Sequence, residues 1–208
     1  MISFQRLLGR EDEFFGLLEA SAAECVASIA ALRAILAAPG ERPGLDAFAA
    51  ARRKDKEITQ RLEEMLIDTF VTPIEREDIE SLAERLYKIP KVVEKFAERY
   101  ALVAARVADV RFDGLAEALE RAVRLLREMV AALHAADIST IKSKQSELRG
   151  LARGAEIALA QSLAALYAPG YDALKAIIVK DLFDLLERAL DRTREAAAII
   201  AHILLKNS

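Results

Sequence analysis

The chain has 208 residues, with 30 Lys and Arg against 33 Asp and Glu for a net charge of −3, and 53% of it is apolar though only 6% is aromatic. That apolar share excludes a disordered chain, and 8 Gly and 5 Pro set against 40 Ala and 29 Leu argue against a sheet protein, because Ala and Leu are strong helix formers. A chain of this length buries a substantial core without covalent staples, and the single Cys25 allows neither an internal disulfide nor a thiolate metal cluster, which points to a reducing compartment.

Helix breakers divide the sequence into six stretches of helical length. The segment Met1 to Gly9 is followed by Arg10, Glu11, Asp12 and Glu13 rather than by an apolar run, so no signal peptide is expected. A first helix is predicted over 11–38, closed by Pro39-Gly40 and Pro43-Gly44, and a second over 45–70. The most apolar window, 20–38, contains Glu24 and Arg33, which argues against a membrane span. Thr72-Pro73-Ile74-Glu75 reads as a hydroxyl N-cap, a Pro at the first helical position and a Glu completing a capping box. A third helix is predicted from there to about Val107, with Pro90 removing one backbone hydrogen bond and kinking it. Asp113-Gly114 reads as a turn. The fourth helix is predicted over 115–135, the fifth from Asp137–Thr140 to Pro169-Gly170, and the sixth over 172–205.

The helices are amphipathic, and many core positions are Ala, which permits close approach. The fold expected is all-α: six long helices as two related three-helix units in an antiparallel bundle, a single domain of 1–208 with an internal pseudo-repeat at 1–110 and 111–208. Split after Val110, the charges are 16 basic against 20 acidic and then 14 against 13, so neither half has the positive excess that nucleic acid selects. A scaffold that associates with a second copy of itself is a bland further reading.

Two charge patterns stand out. Asp184, Glu187, Asp191 and Glu195 fall at i, i+3, i+7 and i+11 on the sixth helix, with Glu156 on the helix before it. Oxygen ligands on such a face suit Mg²⁺, Mn²⁺, Ca²⁺ or iron, whereas Arg188, Arg192 and Arg194 offer the ordinary alternative of a mixed-charge solvated face. The third helix carries Lys88, Lys91, Lys95 and Arg99 at the same spacing, and the second adds Arg52, Arg53, Lys54 and Lys56. Facing one another, these would make an anion site or a surface for an acidic partner, unless Glu57, Glu84, Glu94 and Glu98 neutralise them.

Signatures of catalysis are missing. The Glu-x-x-His pattern of di-iron bundles fails at both histidines, since Ala131 precedes His134 and Ile199 precedes His202 at that spacing. No Gly-x-Ser-x-Gly elbow, Gly-x-Gly-x-x-Gly loop or Walker-type loop occurs. Both histidines read as cap or surface residues, and Cys25, among Ala22, Ala23, Val26 and Ala27, reads as a buried inert thiol.

Phe4 with Leu7-Leu8, Glu13-Phe14-Phe15, the block Thr69-Phe70-Val71-Thr72-Pro73-Ile74-Glu75-Arg76-Glu77-Asp78-Ile79, and Leu204-Leu205-Lys206-Asn207 together resemble the PhoU-like family of accessory proteins for Pit-type inorganic phosphate transporters. The resemblance spans nearly the whole chain. It implies a cytoplasmic, all-helical, non-enzymatic regulator of phosphate uptake, working by protein contact with a Pit-type phosphate transporter or another membrane-associated protein. In that family each three-helix unit carries an acidic motif that binds iron or another metal. Here Arg52 and Lys56 stand where the family's second helix has a Glu and an Asp, and Tyr87, Lys88 and Lys91 stand where its third helix has three Asp. The corresponding fifth-helix pair reads Ala152 and Glu156, while Glu187, Asp191 and Glu195 survive on the sixth helix with Arg194 replacing an acid. The resemblance therefore implies loss of the N-terminal metal site, leaves room for a divalent metal or iron at Glu156, Glu187, Asp191 and Glu195, and turns Arg52, Lys56, Lys88 and Lys91 into an anion or partner patch. A metal-binding carboxylate bundle is the alternative function.

Overall fold

The computed structural model describes the backbone of residues 4–206 and the side chains of residues 11–206; expectations resting on Met1 to Arg10 side chains and on Asn207 lie outside the described residues. Six helices follow in order: α1 (Phe4–Leu36), α2 (Asp46–Asp68), α3 (Arg76–Val103), α4 (Asp113–His134), α5 (Ile138–Leu166) and α6 (Ala173–Lys206). No strand occurs among the described residues.

Two of the three Pro-Gly breaks are turns in which glycine supplies the left-handed backbone, with φ 86° at Gly40 and 88° at Gly170. At Gly40 the space is also tight, since a Cβ there would come 3.1 Å from that of Ala108. The fifth helix starts where expected, capped by Asp137, whose carboxylate accepts the Thr140 N–H at 3.0 Å and the Thr140 hydroxyl at 2.6 Å. Those hydrogen bonds, led by the Thr140 hydroxyl, lower its pKa to about 2.

Three boundaries differ from the expectation, the first being the start of α1, which lies at Phe4 and not at Glu11. The capping box at Thr72 and Glu75 does not form, because 72–74 stay non-helical and Glu75 is itself the N-cap of α3. Arg76 accounts for the delay: its guanidinium reaches back to the carbonyls of Leu66 in the last turn of α2 and of Thr69 and Phe70 just beyond it, closing the α2–α3 connection. Asp113-Gly114 is likewise not a turn but the first two residues of α4. The turn lies earlier, after a 3₁₀ segment at Ala104–Val107 that extends α3 to the residue expected, and the buried Phe112 is the N-cap of α4.

Ion pairs trace the packing. Arg61 with Glu13 joins α2 to α1, Arg52 with Glu94 joins α2 to α3, and Arg33 with Glu120 joins α1 to α4. Lys144 with Glu128, Arg194 with Glu156, and Lys206 with Asp78 do the same for α4–α5, α5–α6 and α3–α6. Every one of these pairings is antiparallel. Helices α1 and α3 pack together with α2 laid over both, and α4 and α6 pack together with α5 laid over both. The two units meet through α1 on α4 and α3 on α6. One hydrophobic core draws on all six helices.

This arrangement explains the apolar first helix. The stretch Glu11–Leu36 holds an 18-residue window of mean hydropathy 1.5 and is long and apolar enough to cross a membrane by length and composition. In the bundle it touches α2, α3 and α4, and buries Leu18, Cys25, Ile29 and Leu32 completely. A helix with neighbours on three sides must be apolar on three sides.

Pro90 lies inside α3, which continues through it from Arg76 to Val103. Proline has no N–H, so the carbonyl of Leu86 loses its intrahelical donor. The Cys25 thiol supplies one, with Sγ donating to the Leu86 oxygen at 3.5 Å. Burial raises the thiol's pKa well above its ordinary value, and the charges of Asp55 and Glu24 add to this, so Cys25 remains a protonated donor. Cys25→Ala should cost about 1–3 kcal/mol by leaving that carbonyl unpaired. It should cost less in a Pro90→Ala background, where the backbone donor returns, and a double-mutant cycle by chemical denaturation should show coupling of about 1 kcal/mol. Additive losses would contradict the assignment.

Candidate functional site

The first three helices enclose a polar layer in an otherwise apolar core. Ser21, Cys25 and Ser28 of α1 are buried, as are Glu24 of the same helix and Asp55 of α2. Ser21 donates to Asp55 Oδ1 at 2.7 Å, and Glu24 pairs with Lys54 at the edge of the layer. Three buried polar atoms, Ser28 Oγ, Arg52 Nη1 and Asp55 Oδ2, have no hydrogen-bond partner among the described residues. Burial raises the Asp55 carboxyl from 3.8 to about 6, against the Ser21 hydrogen bond and the charge of Arg52, with Glu24 adding to the rise. Sequence reasoning passed over Asp55, although it interrupts the buried series Phe48, Ala51, Ile58 and Leu62 in the register of the core face.

The four basic residues named from sequence are not brought to one point. Arg52 turns into the α2–α3 interface, where it donates to Glu94 Oε2 at 3.2 Å and to the Tyr87 hydroxyl at 2.9 Å and lies 4.3 Å from the centre of the Tyr87 ring. Lys88 pairs with Glu84 one turn back at 2.6 Å, lowering the Glu84 pKa. Lys56 and Lys91 are exposed. Glu84 and Glu94, the acids that stood as the ordinary alternative to an anion site, thus neutralise two of the four cations.

The acidic residues of the second unit are also divided. Glu195 is held by Arg192 at 2.7 Å and by Arg85 of α3 at 3.0 Å, which draws it toward the α3–α6 seam. Glu156 accepts from Arg194 at 2.5 Å, and the same guanidinium lies 3.5 Å from Asp191. Glu187 is left among Asp184, Asp191 and Glu156, and its pKa is raised by partial burial first and by those charges next. Among the described residues no group of three or more His, Cys, Asp or Glu side chains is placed to hold a metal ion. As the side chains lie, a cation at Glu156 and Asp191 would have to displace Arg194, so the donor set does not fit a metal cluster.

His134, in the last turn of α4, stacks on Phe15 with ring centres 4.7 Å apart and faces Asp12 at 3.2 Å and Glu19 at 3.4 Å of α1. It is a partly exposed interhelical contact, in keeping with a surface or cap residue.

No protein-family model matches the chain. Over 92% of its length it superposes on 99% of a PhoU-like protein from Shewanella oneidensis MR-1, with a TM-score of 0.77 at 14% identity. The fold is PhoU-like. A "putative PhoU-like phosphate regulatory protein" from the same organism matches 93% of this chain and 99% of its own, with a TM-score of 0.73 at 14% identity. In sequence the chain is 24% identical over 209 residues to a Rhizobium meliloti (strain 1021) protein named "Putative pit accessory protein", covering 98% of both. The PhoU-like resemblance carried by the Thr69–Ile79 block is thus met by similarity along the whole chain as well as by the fold.

Proposed function

We propose that this protein is a non-enzymatic accessory or regulatory component of inorganic phosphate transport, acting at the cytoplasmic side by contact of its helical faces with a Pit-type transporter or another membrane-associated protein. The observation that carries this reading is the end-to-end match with the Rhizobium accessory protein, which covers 98% of each chain. The disposition of polar groups supports it: the charged residues singled out above are divided among ion pairs across seams, ion pairs within one helix and exposed positions, and are not gathered at one reactive point. We also infer that residues 1–110 and 111–208 are an internal pseudo-repeat of a single domain, supported by the matching order of contacts within the two units.

Deleting the gene should change the rate of radiolabelled phosphate uptake, and wild-type protein should restore it; tagged protein should retain the transporter on purification from membranes. Unchanged uptake together with no retained transporter would overturn the proposal. The alternative of a metal-binding carboxylate bundle has one observation in its favour, the crowding of acids around Glu187. Elemental analysis of the same preparation decides it. Stoichiometric iron or manganese lost in a Glu187→Gln/Asp191→Asn variant would support the alternative, and a folded, metal-free protein would remove it.

A further inference from the structure

Helices α2 and α3 leave a furrow between them on the outer face of the bundle. Two adjoining cavities of about 410 and 720 Å³ share Glu63, Leu66, Glu80 and Glu84, so they form one continuous depression. The floor is apolar, with Leu62, Leu66 and Ala83. The walls are acidic, with Glu63 on α2 and Glu80 and Glu84 on α3. Glu84 already has Lys88, whereas Glu63 and Glu80 have no ion-pair partner among the described residues. Of the two cations lining the furrow, Arg76 is tied to backbone carbonyls and Lys56 stands at the opposite end.

At the Arg76 end the furrow opens beside Ile67, which is 83% exposed and is followed by Phe70 at 91% and Val71 at 54%. Ile67 lies in the last turn of α2 and Phe70 and Val71 just beyond it, where the Phe70 carbonyl accepts from Arg76 of the furrow; the three side chains contribute little to the core, and an exposed aromatic group of this kind is the usual anchor of a protein contact. An apolar floor between acidic walls is complementary to a helix with an apolar stripe flanked by Lys or Arg. The same acids oppose docking on an anionic lipid surface.

We propose that the α2–α3 furrow, with Ile67, Phe70 and Val71 at its mouth, is the docking site for a basic amphipathic helix of a partner protein. This deepens the accessory-protein reading and rests on it for the class of partner. The probe is a labelled synthetic helix of Leu and Lys, about 18 residues or roughly five turns, titrated with the full chain and followed by fluorescence anisotropy. Saturable binding is expected, weakened by salt and at least about tenfold weaker for Glu63→Lys/Glu80→Lys and, separately, for Phe70→Ser. These residues are exposed, and thermal melts should coincide with wild type. Equal affinity of wild type and the charge-reversed variant, or preference for a Leu/Glu helix or for phosphatidylglycerol vesicles, would overturn the proposal. Transporter retention by the same variants separates the two levels of inference. A variant that loses the probe but keeps the transporter refutes the furrow as the docking site and leaves the accessory role intact. A wild-type chain that binds the probe, yet neither retains the transporter nor affects uptake, refutes the accessory role and leaves the furrow.

Discussion

Replacing Asp55 by Asn should stabilise the protein at about pH 7.5 by up to about 3 kcal/mol more than it does at about pH 4. The carboxyl is fully buried between α1 and α2, and among the described residues only Oδ1 has a hydrogen-bond donor, the Ser21 hydroxyl. Burial raises its pKa from 3.8 to about 6. Below the lower value both folded and unfolded chains hold the proton, and no penalty arises. Between the two values the unfolded chain loses the proton while the folded chain keeps it, so stability falls as pH rises through this window. Above about 6 the folded chain carries the full penalty, which is the shift multiplied by roughly 1.4 kcal/mol per unit. Asn has the same shape, retains an acceptor for Ser21 and cannot ionise, so the pH-dependent loss should disappear. Denaturant unfolding at a series of pH values should show wild type declining relative to the variant between about pH 4 and 6. Parallel curves across that interval would mean that Asp55 ionises normally.

The order of the six helices is legible in the sequence because Pro-Gly pairs punctuate an Ala- and Leu-rich chain, and local chemistry decides where such helices stop. The starts of α3 and α4 were decided by contacts that a four-residue capping pattern does not include. Arg76, itself the first residue of α3, draws back onto carbonyls at Leu66, Thr69 and Phe70, and Phe112 is fixed by rings from α3 and α6. Charge patterns are legible as stripes but not as partners. Periodicity places Glu187, Asp191 and Glu195 along α6, but it does not show that Arg85 of another helix takes Glu195 or that Arg194 takes Glu156. Guanidinium groups sit at the end of long side chains and cross helix seams that a single-helix reading ignores. The omission of Asp55 is different in kind, since an acid in the register of Phe48, Ala51, Ile58 and Leu62 was visible, and it becomes informative once burial is treated as forced by the pattern.

Truncating Phe112 to Ala should cost about 3–5 kcal/mol, the usual range for removing a buried aromatic ring. Its ring is 2% exposed and lies edge-on to Phe96 at 5.7 Å and to Tyr100 at 6.2 Å, and tilted against Phe183 at 5.0 Å. Aromatic pairs of this geometry are worth about 0.5–1.5 kcal/mol each beyond the area they bury. Phe112 also stands at the one connection between the first three helices and the last three, where its carbonyl accepts the Ala116 N–H at 3.0 Å to begin α4. The loss should therefore be felt by both units at once, lowering the denaturation midpoint without splitting the transition. Phe70→Ala supplies the contrast. That ring is 91% exposed, so its removal should change stability by no more than about 0.5 kcal/mol while weakening attachment at the furrow's mouth. If both truncations lowered stability equally, Phe70 would belong to the core and not to a contact surface; if only Phe112 does, one aromatic residue holds the bundle together and the other is free to meet a partner.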